Sequence, residues 1–423
     1  MELFFRSIRC VDTMDKIDLD FRMARSEHND QILRAICEEA LSCFFEHIDS
    51  NRIRCVLLTG SVANGEGTVI GRMPYIIASD FDFVSYPDLQ YYIKNRAYFG
   101  KLSRKISLKL QEKGVSTHVE FLPTPSILHA TAHFAMPKIY EYEFAFASKC
   151  VFGEFPSFKK VARPSKRDAL DLVFTVISDL VFSEFKGVSE TEKSYIYAKR
   201  ALTLLNSILI FHGFYAETYE KRMELARKYV RRAAFPISDN EMKILEAFNE
   251  YKLGGIFEHL LESIMCAERN DAIRFQKDFL EKLTIKILYY ELENYCARTE
   301  RRRRECDVSF TEMTHRLPFL LKEYSRRSKG RLVARIAGII LFLHAFVSRD
   351  RKRKELFATF IFHRQPPKVI MNVLTTLLFI YKHNISAARI LRETFPWVDF
   401  DDVNSIHKML ILWQSAAQSI KLS

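Results

Sequence analysis

The chain has 423 residues, of which 48% are hydrophobic and 27% are charged. This composition is typical of a folded globular protein and excludes a largely disordered one, and the length exceeds what one hydrophobic core usually supports. Lysine and arginine outnumber aspartate and glutamate by 64 to 52, so the net charge is +12 and a polyanionic partner is favoured. With only 13 glycines and 12 prolines, we expect a mainly helical chain of several domains.

The cysteine spacing and the apolar segments bear on the cellular location. The eight cysteines contain no Cys-x-x-Cys pair and lie far apart, which fits neither a zinc site nor a disulfide framework. The N-terminal segment has only a short apolar run over 3–5, too little for a signal peptide. The most apolar stretches, 336–347 and 369–381, are shorter than the roughly 20 residues that cross a bilayer. We therefore expect a cytoplasmic protein without integral membrane association.

Residues 30–59 predict a helix followed by a strand. Apolar residues recur at helical spacing over 30–48 with charged residues on the other faces, which is the pattern of an amphipathic helix. The run 53–59 is short, β-branched and apolar, and it predicts a buried strand. This strand ends at Gly60-Ser61, where we expect a tight turn.

Two acidic residues share one face of the next predicted strand. Side chains alternate along a strand, so within 80–84 the carboxylates of Asp80 and Asp82 lie on one side. The same alternation directs Phe81 and Phe83 towards the core. The pattern therefore places two carboxylates together at a solvent-facing surface.

A third acidic residue follows on a later strand. After a basic helix predicted over 89–112, the alternating segment 115–122 places His118 and Glu120 on one face. A lone histidine on a strand is more often structural than catalytic, so we leave His118 outside the catalytic set. The element order is that of a small α/β sheet domain, and the glycine-rich segment 65–77 is predicted to form a loop or hairpin over the site.

Beyond residue 164 strand patterns fade and helical patterns dominate. Three basic clusters occur in the C-terminal third of the chain. One such cluster usually marks a solvated loop or helix end, but three within about 55 residues favour RNA or another nucleic acid as a partner. No aromatic stacking motif or known RNA-binding module accompanies them. The predicted helices cover 166–185, 192–212, 219–232, 241–251 and 256–297, the last with a break within it as an alternative, and further helices follow to residue 423. The basic clusters cover 301–304, 326–331 and 349–354.

The segments 57–61, 79–82 and 119–122 together resemble the polymerase-beta-like nucleotidyltransferase superfamily. Its pattern is an apolar strand ending in Gly-Ser, a following strand with Asp-x-Asp, and a third acidic residue on a later strand. The third acid is more commonly Asp in that superfamily, and the gap before Asp-x-Asp is longer here than in many members. The resemblance covers roughly residues 30–155.

This resemblance implies an α+β fold, with a small mixed-sheet nucleotidyltransferase catalytic domain followed by a large all-helical region. In related enzymes the helices close over the nucleotide. The implied domains are a catalytic domain over 1–155, a helical nucleotide-capping domain over 156–300 and a basic helical C-terminal region over 301–423.

The resemblance also implies a metal site made of Asp80, Asp82 and Glu120. Two divalent ions about 3.5 to 4 Å apart can stabilise both the attacking oxygen and the leaving pyrophosphate, provided that acidic side chains hold them. Mg²⁺ suits such oxygen ligands, and Mn²⁺ is the alternative. By the same resemblance, Glu120 would hold the ion nearest the attacking hydroxyl and assist its deprotonation.

Three further residues are expected to bind the nucleotide triphosphate. Gly60 would let the backbone approach the phosphates closely, and Ser61 could donate its hydroxyl or amide to a phosphate oxygen. Lys199 matches the position at which related enzymes present a lysine to the triphosphate, with Arg200 as the alternative. An ordinary strand-ending turn and a solvated helix surface are the simpler interpretations of these residues.

The sequence therefore predicts a metal-dependent nucleotidyltransferase that moves a nucleoside monophosphate from an NTP such as ATP to a hydroxyl acceptor. Pyrophosphate would be released. An RNA end and a second nucleotide both remain open as acceptors, as does the oligomeric state. The alternative is a non-catalytic nucleotide- or RNA-binding module that retains the nucleotidyltransferase fold. A helical scaffold with coincidental carboxylates is a third interpretation.

Overall fold

The structure, a computed structural model, is mixed α+β. Small sheets form in its N-terminal part, and the described residues after Gly153 form helices and their connections. No helix within the described ranges is long and apolar enough to span a membrane. The described residues are 17–70, 75–124, 138–156, 161, 163–182, 189–230, 235–254, 260, 269–296, 308–327 and parts of 372–380.

The strands belong to two sheets. A four-stranded sheet has the order β6-β4-β1-β7, in which β4 and β6 are parallel and β1 is antiparallel to both of its neighbours. A three-stranded sheet has the order β2-β3-β5, with an antiparallel β2/β3 pair and a parallel β3/β5 pair. The strands are β1 (Ile53–Thr59), β2 (Val69–Ile70), β3 (Tyr75–Ile77), β4 (Phe81–Pro87), β5 (Val115–Ser116), β6 (Val119–Pro123) and β7 (Lys149–Gly153).

The strand predictions need two corrections. The segment 115–122, expected to be one strand, is divided into β5 and β6, which pair in different sheets. Strand β7 was not predicted, because five residues carry too little alternation to be recognised without the partner strand β1. The predicted strand 53–59 matches β1 in full.

The helices predicted over 30–48, 89–112, 166–185, 192–212, 219–232 and 241–251 occur with boundaries shifted by at most a few residues, apart from ends that lie outside the described residues. Of the helix predicted over 256–297, residues 269–296 are helical, whereas 255–259 and 261–268 lie outside the described residues. The helix Lys138–Phe146 was not predicted. The first helix begins at Glu27 because Ser26 accepts a hydrogen bond from the Asn29 amide at 3.2 Å, a typical N-cap. The helices are α1 (Glu27–Phe45), α2 (Gly60–Ala63), α3 (Leu89–Glu112), α4 (Lys138–Phe146), α5 (Lys166–Phe182), α6 (Glu190–Phe211), α7 (Tyr219–Val230), α8 (Asp239–Gly254), α9 (Arg269–Cys296) and α10 (Phe310–Arg327), with a 3₁₀ turn at Ser50–Arg52.

One face of the four-stranded sheet packs on helices α1 and α3 through aromatic side chains. The Phe44 ring of α1 stacks on Phe121 of β6 with centroids 4.0 Å apart, and Phe121 stacks on Phe83 of β4 at 4.5 Å. Such offset aromatic contacts add stabilisation beyond their buried area. Because side chains alternate, this packing directs the neighbouring residues of β4 and β6 to the opposite face of the sheet.

The glycine-rich segment forms the predicted hairpin through β2 and β3. Its first part differs from a loop lying over the site, because Glu66 and Thr68 are buried and bonded to helices α7 and α8. Ile70 belongs to the same hydrophobic cluster as helices α5, α6, α8 and α9. This segment therefore joins the sheet to the helical part of the chain.

Candidate functional site

The three predicted carboxylates lie at one end of the sheet face opposite α1 and α3. Asp82 of β4 is directly opposite Glu120 of β6 in the parallel register. Parallel neighbours are about 4.8 Å apart, so the two side chains emerge side by side. Asp80 immediately precedes β4, and the exposed His118 immediately precedes β6.

Burial, together with repulsion among these carboxylates, perturbs the pKa of Asp82. Partial burial raises its pKa, and the charges of Asp80 and Glu120 raise it further, to about 6. The positive charges of Lys199 and His118 oppose this shift without cancelling it. The folded protein therefore holds an acidic group that would be readily stabilised by an added positive charge.

Lys199 of helix α6 reaches this acidic cluster. Its Nζ lies 3.1 Å from Oδ2 of Asp80, and the two side chains are 26% and 43% exposed. Burial raises the pKa of Asp80, but the charge and hydrogen bond of Lys199 outweigh it, so the net pKa is lowered. Burial lowers the pKa of Lys199, but the Asp80 charge reverses this effect and leaves it raised. Both groups are therefore charged at neutral pH.

The alternative basic residue, Arg200, is engaged elsewhere. Its guanidinium lies 2.6 Å from Asp179 of helix α5. Adjacent residues of a helix point about 100° apart, so the side chains of Lys199 and Arg200 contact different parts of the protein. The structure thus brings Lys199, and not Arg200, into contact with the carboxylates.

The Gly60-Ser61 turn, which forms the start of the one-turn helix α2, lies directly beside Asp82. Thr59 pairs with Asp82 in the β1/β4 register and donates its hydroxyl to the Asp82 carbonyl at 3.1 Å. Gly60 has a φ of +75°, and a Cβ placed there would lie 3.6 Å from Oδ2 of Asp82. The Ser61 hydroxyl donates to Oγ of Ser79 at 3.1 Å. The turn therefore presents open backbone next to a carboxylate.

Two polar residues next to this turn were not assigned a role from the sequence. Oγ of Ser79 also accepts a hydrogen bond from the Thr68 amide at 3.0 Å, so it ties the turn to the hairpin. Lys252 of helix α8 is fully buried and donates to Thr68. Ser79 could have been suspected from its position before Asp80, whereas Lys252 is remote in sequence and carries no local signal.

A preformed metal site is not present within the described part of the chain. No three His, Cys, Asp or Glu side chains there are arranged to hold an ion. Asp80 is instead paired with Lys199, and carboxylates brought close without a counter-charge repel one another. The donor chemistry nevertheless fits a hard divalent cation, because Asp80, Asp82 and Glu120 supply only oxygen ligands.

The predicted basic clusters lie mostly outside the described residues. This applies to 301–304 and 349–354 in full. Within 326–331, the described side chain of Arg327 lies 2.8 Å from Glu323 one helical turn earlier. A surface ion pair of this kind contributes little to stability.

Comparison with known proteins returned no matching protein family, curated protein or solved structure. Function is therefore inferred from the site itself. The informative features are the charges, the register of the strands and the turn beside Asp82.

The electrostatics predict opposite effects of two substitutions on stability. The folded-state pKa of Asp82 lies above that of an unfolded aspartate. Between about pH 4 and 6 the native state therefore binds a proton at Asp82 that the unfolded state has lost. The free energy of unfolding consequently falls as the pH rises through this range. Asp82→Asn should therefore stabilise the protein at pH 7.5, by up to about 3 kcal/mol, and have no effect below pH 4. Thermal or urea unfolding from pH 4 to 8 measures this.

Asp80→Asn is the matched comparison and should lower stability at pH 7.5, since it removes the partner of Lys199. The lowered pKa of Asp80 means that its contribution exists above the unfolded pKa and is lost as pH falls through the folded pKa. If both variants changed stability in the same direction at pH 7.5, the assignment of repulsion to Asp82 and attraction to Asp80 would be wrong.

Proposed function

We propose that this protein is a metal-dependent nucleotidyltransferase that moves a nucleoside monophosphate from an NTP to a hydroxyl group. The observation that carries the proposal is the convergence of separate chain segments on Asp82. Glu120 lies opposite it across the strand pair, the backbone of Gly60 lies beside it, and Asp80 with its partner Lys199 acts on its pKa. Acids, an open turn and one lysine are the groups that a nucleotide triphosphate and its cations require.

Asp80, Asp82 and Glu120 are the residues proposed to hold Mg²⁺ or Mn²⁺. When bound, two such ions neutralise the phosphates and polarise the attacking and leaving oxygens. The raised pKa of Asp82 supports the proposal, because the charge of a bound cation would offset both the burial and the repulsion that raise it. At pH 7.5 Asp82 is largely ionised and ready to accept an ion, whereas below about pH 6 protonation competes.

The other residues are proposed to orient the triphosphate. The ammonium of Lys199 is charged and partly exposed, so it can leave Asp80 for a phosphate oxygen. The backbone next to Gly60 and the hydroxyl of Ser61 can approach the phosphates, since Gly60 itself carries no side chain. These groups would hold the α-phosphorus in line with the incoming hydroxyl.

In the transfer, the acceptor oxygen forms a bond to the α-phosphorus while the bond from phosphorus to the pyrophosphate oxygen breaks. The acceptor proton must leave. Glu120 is exposed to solvent and lies beside Asp82, so it is the carboxylate proposed to receive that proton. Pyrophosphate carries the displaced electron pair.

The net charge of +12 favours RNA or another nucleic acid end as the acceptor, and a second nucleotide is the other candidate.

A cytoplasmic location belongs to the same proposal. It is supported by the five described cysteines Cys37, Cys43, Cys55, Cys150 and Cys296, all of which are free thiols, as a reducing compartment would keep them.

Turnover is tested by incubating the protein with each of the four radiolabelled NTPs and Mg²⁺ or Mn²⁺, with and without bulk RNA. The control is the Asp80→Ala/Asp82→Ala variant, which should lose at least 10³-fold in rate because charge stabilisation is a large part of such catalysis. Label in RNA identifies a terminal transferase, and label in a small phosphatase-resistant product identifies an oligonucleotide synthase. Equal label with the variant, or nucleotide binding without any turnover, contradicts the enzymatic proposal and favours a binding module.

Lys199→Met should change metal and nucleotide affinity in opposite directions. Without nucleotide, Lys199 competes with a cation for Asp80, so its loss should tighten Mn²⁺ binding several-fold. The same variant should bind NTP about tenfold more weakly, since one charged phosphate contact is removed. Free Mn²⁺ measured by electron paramagnetic resonance and a fluorescent NTP report the two affinities.

Lys193→Met is the control for that experiment, because it removes the same charge from the same helix six residues earlier. It should leave both affinities unchanged. Weaker Mn²⁺ binding in Lys199→Met would show that the lysine does not oppose the cation at Asp80.

Gly60→Ala and Gly114→Ala separate backbone strain from obstruction of the site. Both glycines have a positive φ, +75° and +77°, so each substitution should cost about 1 kcal/mol of stability. Only the methyl group at position 60 would lie against Asp82, whereas nothing lies within 4 Å of position 114. NTP affinity should fall in Gly60→Ala alone. Equal affinities in the two variants would remove Gly60 from the nucleotide site.

A further inference from the structure

Lys252 is a buried charge outside the set of residues proposed to bind the metal ions or the nucleotide. Its side chain, near the C-terminal end of helix α8, is 0% exposed. Burying an ammonium group is unfavourable by several kcal/mol unless its surroundings compensate. Consistent with this, burial lowers the pKa of Lys252 to about 8, despite the raising effects of the neighbouring Tyr219 and Glu66.

The ammonium is held by the hairpin and by two tyrosine rings. Nζ donates to the Glu66 carbonyl and to Oγ1 of Thr68, both at 3.1 Å. It lies 5.3 Å from the ring centre of Tyr195 and 5.1 Å from that of Tyr219, within the range of cation–π attraction. The group is therefore desolvated and fixed from several directions.

The backbone of Lys252 contacts the same segment. The Thr68 hydroxyl donates to the Lys252 carbonyl at 2.5 Å. The Thr68 amide donates to Ser79 at 3.0 Å, and Ser61 donates to the same Ser79 oxygen at 3.1 Å. An unbroken series of contacts thus runs from helix α8 to the Gly-Ser turn.

Glu66 adds a second attachment of this segment to the helices. Its carboxylate accepts the backbone amides of Tyr219 at 2.8 Å and Glu220 at 3.1 Å, which begin helix α7. A carboxylate in this position satisfies amides that have no partner within the helix. The 66–68 segment is consequently held by helices α7 and α8 together.

Stability alone does not account for a lysine at this position. Replacing buried ionic groups by apolar ones of similar volume is often neutral or stabilising, and residues that lower stability concentrate at functional sites. A methionine would fill nearly the same space as Lys252 without the desolvated charge. The distinctive property of the lysine is that it fixes Glu66 and Thr68 at once.

We propose that Lys252 is a positioning residue that holds the 66–68 segment, and through Thr68 and Ser79 the Gly-Ser turn, in the geometry that binds the triphosphate. It touches neither nucleotide nor metal. This inference rests on the proposed function, because it concerns the same turn. It assigns to the helical region a direct part in nucleotide affinity.

The test compares Lys252→Met with Lys286→Met. Lys286 of helix α9 is the control, because its ammonium is ion-paired with Glu241 of helix α8 at 2.7 Å and not with the 66–68 segment. Lys252→Met should melt at or above the wild-type temperature, yet show at least a tenfold higher Kd for a fluorescent NTP and a higher KM, with kcat within about threefold. Lys286→Met should leave Kd and KM unchanged.

If Lys252 only stabilised the fold, Lys252→Met would lower stability and nucleotide affinity together. Unchanged Kd and KM in Lys252→Met therefore overturn the inference, as does a loss of affinity that only follows a loss of folded protein. Thr68→Val is the second variant, since it removes the hydroxyl that bonds Lys252 while retaining a similar volume. It should reproduce the loss of nucleotide affinity, and wild-type affinity in a folded Thr68→Val protein would contradict the inference.

Hydrogen exchange distinguishes failure of this inference from failure of the proposed function. Without nucleotide, amides of 61–68 should exchange faster in Lys252→Met than in wild type or Lys286→Met. Wild-type protein that binds no NTP would contradict the proposed function, while faster exchange would still show that Lys252 holds the 66–68 segment. Unchanged exchange would overturn that positioning role whether or not nucleotide binds.

Discussion

The parallel pairing of β4 with β6 is the constraint on which the candidate site depends. Its register sets Asp82 opposite Glu120, and the aromatic residues on the other face fix that register against helices α1 and α3. A slip of one residue would exchange the two faces and bury the carboxylates. The stacked rings of Phe83 and Phe121 therefore stabilise the fold and orient the acids in the same interaction.

This arrangement concentrates negative charge, and the helical region partly relieves it. Asp82 retains a raised pKa, whereas Asp80 is neutralised by Lys199. The site thus contains one acid in a favourable pair and one acid under repulsion. Such local destabilisation is common where a protein must bind a cation or a charged ligand.

The sheet and the helices are joined by polar contacts as well as by hydrophobic packing. Lys199 reaches Asp80 from helix α6, while Lys252 and the helix α7 amides hold the segment after the Gly-Ser turn. A movement of the helical region would consequently be transmitted to the turn and to the carboxylates. Buried polar networks of this kind specify a single arrangement when all members are bonded.

Local sequence pattern was enough to predict helices α1, α3 and α5 to α8 and strand β1, because hydrophobic periodicity and side-chain alternation are properties of neighbouring residues. It could not predict strand β7, the division of 115–122 between two sheets, or the role of Lys252. Those depend on partners distant in the chain, and a five-residue strand or a single lysine acquires its environment only when the remote segments pack together. Sequence therefore determined the chemistry available at the site, and tertiary structure decided which charges meet there.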